Sequence, residues 1–85
     1  MNIREEIASQ FEDGDEIIFA DGFDRAIIGV LYNTNIVVYS FSKAVEILLK
    51  DMNHEEAVEF LHFNTMGIGG EGMPIWVIDD VYLNV

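Results

Sequence analysis

Cysteine is absent from this 85-residue sequence, and proline occurs once. Without cysteine there can be no disulfide, no thiolate metal site and no cysteine nucleophile. A small chain that dispenses with such staples fits a reducing cytoplasm. Positive charge is nearly as scarce: four Lys and Arg stand against sixteen Asp and Glu, a formal charge of −12. Nucleic-acid binding needs Lys and Arg to displace phosphate counterions, and four scattered cations cannot build that patch. Anionic membrane surfaces are disfavoured for the same reason. No apolar run approaches the ~18 residues of a membrane-spanning helix. The opening MNIREEIASQ lacks the apolar stretch of a signal peptide. The expectation is a soluble, cytoplasmic protein with no cofactor and no metal.

What is present is a core. Hydrophobic residues make up 51 % of the chain, which rules out a disordered acidic tail and supplies one compact domain over residues 1–85. Residues 2–11 read as a helix, since Ile3, Ile7 and Phe11 share one face and Asn2 can cap it. Glu16 to Ala20 (EIIFA) reads as a strand, and Asp21-Gly22 as a hairpin turn. Arg25 to Tyr32 reads as a second strand, with Gly29 marking a bulge. Asn33-Thr34-Asn35 is a tight turn before a third strand, Ile36 to Tyr39.

The period then changes. Ser42 is placed to cap a helix to about Asp51, with Ala44, Val45, Leu48 and Leu49 as its apolar stripe. Asn53 and Glu56 form an Asn-x-x-Glu capping box for the next helix, whose inner face is Ala57, Val58, Leu61 and Phe60. Residues 67–74 (GIGGEGMP) form a loop, and Ile75 to Ile78 a final strand. The order α-β-β-β-α-α-β describes an α+β domain, its mainly antiparallel sheet covered by helices on one face.

Residues 16–80 resemble a group of small proteins encoded by tailed bacteriophages and prophages. The stretches that carry the resemblance are DGFDRAIIGV (21–30), VVYSFSKAVEILLKDM (37–52), EEAVEFLHFNTMG (55–67) and GEGMPIWVIDD (70–80), in that order and spacing. It implies a phage origin and expression in the cytoplasm of a bacterial host. It brings no activity, so no catalytic or binding residue is carried over.

No catalytic signature stands out. The loop holding Gly69, Gly70, Glu71 and Met73 lacks the lysine of a phosphate-binding loop and follows a helix, not a strand. It reads as a connection, or with Trp76 as a binding loop for a partner or a nucleotide-like ligand. Asp13, Asp15, Glu16, Asp21 and Asp24 lack the spacing of a calcium loop. His54 and His62 are about 80° apart on a helix, not the i, i+4 pair of a zinc protease. His54 reads as exposed and His62 as the edge of the core. An enzyme is therefore not expected.

Charge geometry has more content. Glu55, Glu56 and Glu59 cluster on the outer face of one helix, and Asp79 and Asp80 close the last strand. A charge of −12 exceeds the ~2–8 that solubility asks of a small domain. Carboxylates on a rigid scaffold can imitate the phosphates of DNA and occupy a basic cleft. The expected function is thus an interaction protein that binds and modulates or inhibits a basic host protein. A small-ligand-binding domain and a minor virion or assembly component are the alternatives. Either apolar strand, Ile36–Tyr39 or Ile75–Ile78, could pair with its copy in a homo-oligomer if it lay at a sheet edge.

Overall fold

In the computed structural model, residues 2–11, 16–64 and 72–79 are described. Helix α1 (Ile3–Ala8) is capped by the Asn2 side chain, which accepts from Glu5 N–H at 2.9 Å. A single 3-10 turn (Asp24–Ala26) leads into strand β1 (Ile27–Val30). Strand β2 (Val37–Ser40) runs directly into helix α2 (Phe41–Leu48). Helix α3 (His54–Asn64) and strand β3 (Ile75–Val77) follow. The chain is a small α+β domain, close to the order the sequence suggests.

Three details of that order change. Residues 16–20 adopt no regular secondary structure and join no strand ladder. Their backbone is bonded by side chains from elsewhere: Ala20 N–H donates to Tyr39 Oη at 2.7 Å, and the Asn35 amide donates to Glu16 C=O. The Asp21-Gly22 turn therefore joins no hairpin. It is closed by Phe23 N–H on Ala20 C=O, with Gly22 at φ +88°, a conformation that glycine adopts without strain. The second strand also starts later than expected, because Asp24–Ala26 coils first.

Among the described residues the sheet has three strands in the order β1-β2-β3 and is mixed, not mainly antiparallel. β1 and β2 are antiparallel neighbours across the turn at residues 33–35, where Asn33 takes φ 63° and Thr34 Oγ1 bonds both Leu31 C=O and Ile36 N–H. The register shifts between Ile27 and Gly29, so the bulge expected at Gly29 is present. β3 is parallel to β2, pairing Val38 with Ile75, Tyr39 with Trp76 and Ser40 with Val77. The intervening α2 and α3 supply the long crossover that a parallel pair requires.

One sheet face carries the core. Val37 and Tyr39 point inward from β2 and meet Phe41, Ala44 and Val45 of α2, Ala57 and Leu61 of α3, Ile7 of α1, and Phe23 and Ala26. Trp76 lies on the same side, stacked on Tyr39 at 4.8 Å between ring centroids and meeting Phe23 edge-on at 5.5 Å. Its neighbours Ile75 and Val77 point the other way and are exposed, as strand alternation requires.

Helix capping fixes the entries of α2 and α3. For α3 the anticipated box forms: Glu56 N–H donates to Asn53 Oδ1 at 2.9 Å, and Asn53 N–H donates to Glu56 Oε1 at 3.3 Å. For α2 the cap is Ser40, two residues before the Ser42 that the sequence suggests. Ser40 Oγ accepts from Lys43 N–H at 3.2 Å. Ser42 is the second residue of the helix. The strand continues to Ser40, and an acid just past the end of the neighbouring strand supports the cap.

Candidate interaction surface

That acid is Asp79. Its Oδ2 accepts from the Ser40 hydroxyl at 2.7 Å, and its Oδ1 accepts from Ser42 N–H at 3.0 Å. A carboxylate at a helix N-terminus meets both free N–H groups and the positive end of the helix dipole. Burial alone would raise the Asp79 carboxyl. The bonds from Ser42 N–H and from the Ser40 and Ser42 hydroxyls outweigh it and hold the pKa below the ordinary carboxylate value. Asp79 thus locks β3 onto the start of α2. Its carboxylate is engaged within the fold, unlike those of Glu55 and Glu59 on α3, which are exposed. Asp80 lies outside the described residues.

Arg4 plays a comparable internal role. Its Nε donates to Asp24 Oδ1 at 2.8 Å and Oδ2 at 3.0 Å, and a terminal nitrogen reaches Asp21 at 3.1 Å. The guanidinium lies 4.8 Å over the Phe19 ring. The two carboxylates raise its already high pKa. These contacts tie α1 to the turn at residues 21–24. Both carboxylate contacts are ion pairs as well as hydrogen bonds.

Every described carboxylate is exposed except Asp24 and Asp79, which are half-buried in bonds within the fold. The remaining acids face water. Glu55, Glu56 and Glu59 stand together on the outer side of α3, opposite the buried Ala57 and Leu61. Glu56 combines this position with its capping bond to Asn53. Of the five acids weighed as a calcium set, Asp13 and Asp15 lie outside the described residues. Glu16 is exposed, and Asp21 and Asp24 are engaged by Arg4. Among the described residues no three His, Asp or Glu side chains converge as metal ligands. No helix among them is long and apolar enough to cross a membrane.

The loop residues Gly69, Gly70 and Glu71 lie outside the described residues. Of the candidate binding loop, Met73 and Trp76 are described, and both are half-buried. Trp76 is held between Tyr39 and Phe23, so its ring contributes to the core. His54 is exposed. His62 is exposed as well, with its ring 5.9 Å from Phe41. Of the two apolar strands, Val37–Ser40 is central and Ile75–Val77 is an edge among the described residues.

The sequence reading missed one feature of this surface. Phe60, expected on the inner face of α3, is 37 % exposed, and Phe63 is 81 % exposed. Both lie on the side of Glu56 and Glu59. The signal was available in the spacing, since residues 56, 59, 60 and 63 fall within an arc of about 100° that excludes 57 and 61.

No family model matches the chain, and neither a curated protein nor a solved structure matches it.

Proposed function

We propose that this chain is a small acidic binding module that engages a basic partner protein through its carboxylate-covered exterior and blocks or redirects it. The observation that carries this reading is the disposition of charge. Asp24 and Asp79 are partly buried in bonds within the fold, and every other described carboxylate is exposed, Asp21 and Glu56 included despite their bonds to Arg4 and Asn53. An excess of this size repels itself and works against compactness, so a surface that keeps it has another use for it. Potential of one sign steers and holds a partner of the other. The resemblance to tailed-phage proteins supports a partner in the bacterial host, such as a nucleic-acid-handling or defence protein whose cleft normally receives phosphates.

The test is capture of partners from host lysate with wild type and with Glu55→Lys/Glu59→Lys, which spares the capping residue Glu56. A specific basic partner should be retained by the wild type and lost by the folded variant. Equal capture by both would overturn the electrostatic mode.

A further inference from the structure

We propose that the outer face of α3 is a docking site for a cationic amphipathic segment of a partner protein. Its apolar side chains would seat on Phe60 and Phe63, and its Lys or Arg side chains on Glu56 and Glu59. This rests on the acidic-module reading and goes further, because it names the face and the chemistry of the segment. Met52, Glu56, Glu59, Phe60 and Phe63 line one shallow, open groove beside the helix. Ala57 and Leu61, on the other side of α3, are fully buried, so the core already has its helix face. Phe63, and to a lesser degree Phe60, present ring surface to solvent beyond the buried core. Exposed aromatics in a cluster are typical anchors of interfaces.

Charge selects the occupant. α3 carries Glu55, Glu56 and Glu59 and no Lys or Arg. A second copy docking by a two-fold axis would bring Glu56 and Glu59 against the same carboxylates, on chains that each carry −12. An anionic membrane meets the same repulsion. A neutral apolar segment would strip water from the carboxylates and give nothing in return. A segment with one apolar side and one cationic side satisfies both halves of the groove, as helix-in-groove recognition does elsewhere.

The probe is a synthetic helical peptide with leucine on one face and lysine on the other. Two controls accompany it: one with lysine replaced by glutamate, and one with leucine replaced by serine. Binding is measured by titration calorimetry to wild type and to Phe60→Ala/Phe63→Ala, with oligomeric state followed by sedimentation. Alanine favours the helix and neither position belongs to the buried core; circular dichroism checks that the variant is folded, and Phe63→Ala alone, at the 81 % exposed position, repeats the comparison. The leucine–lysine peptide should bind the wild type, bind the variant about tenfold or more weakly, and outcompete both controls. Equal affinity for the variant, or equal binding of the serine–lysine control, overturns this inference and leaves the acidic-module reading standing. Failure of every cationic peptide to bind overturns both. A wild-type dimer that the double substitution turns into a monomer assigns the face to a second copy and overturns the proposal.

Discussion

Replacing Asp79 by alanine is the substitution whose consequences the structure defines best. It removes the acceptor of the Ser40 hydroxyl and of Ser42 N–H, both at the start of α2. Ser40 is fully buried, so its hydroxyl cannot turn to water. The Ser42 hydroxyl, 3.1 Å away, can recover part of the loss. Hydrogen bonds to a charged group contribute roughly 1.5–3 kcal/mol each, and with that recovery the net cost is about 2 kcal/mol. For a domain of this size that lowers Tm by about 8–16 °C. Asp79→Asn keeps one acceptor oxygen and should lose about half as much. The pH dependence adds a signature. The folded-state pKa of Asp79 lies below its unfolded value, so its contribution is complete above the unfolded pKa and is lost as pH falls through the folded one. The gap between wild type and Asp79→Ala should therefore close in acid. Urea denaturation followed by far-UV circular dichroism at neutral and acidic pH measures it. A variant as stable as wild type at neutral pH, or a gap that persists unchanged in acid, would refute the assignment.

Two further outcomes follow from the same contacts. Tyr39→Phe removes the oxygen that accepts from Ala20 N–H and should cost about 1–2 kcal/mol in denaturant titrations. Burial raises the Tyr39 pKa, so folding favours the neutral ring and wild-type stability should fall as pH rises past the unfolded value of about 10; a Tyr39→Phe protein that loses stability there just as steeply would contradict this. Gly22→Ala puts a side chain at φ +88° where no atom obstructs it, so backbone strain alone should destabilise by about 1 kcal/mol, while Gly22→Asn should cost less.

What the sequence disclosed was local. Asn53 and Glu56 define the start of α3 because both halves of a capping box lie within four residues. Gly29 disclosed the bulge, and Asn33-Thr34-Asn35 the turn between β1 and β2. What it did not disclose depends on distant partners. EIIFA has the composition of a strand, but Tyr39 and Asn35 bond its backbone from almost twenty residues away. Ser40 and Ser42 are equally good caps by composition. Asp79, brought alongside by a parallel pairing that no local pattern encodes, supports the first. The same pairing turned one expected surface carboxylate into part of the framework. The outer face of α3 was half legible: the glutamates stand out by charge, whereas Phe60 is apolar and was assigned to the core. Its helical position, close to Glu56 and away from Leu61, decides otherwise.

The most direct test of the account is the salt dependence of partner capture. The immobilised wild-type chain is exposed to host lysate at increasing ionic strength, and the retained partner is quantified. Screening weakens attraction between exposed charges within a Debye length of about 10 Å at 0.1 M salt. The account predicts a basic partner whose retention declines steadily as salt rises. Retention of the same partner undiminished at high salt, or of an acidic one, would contradict it.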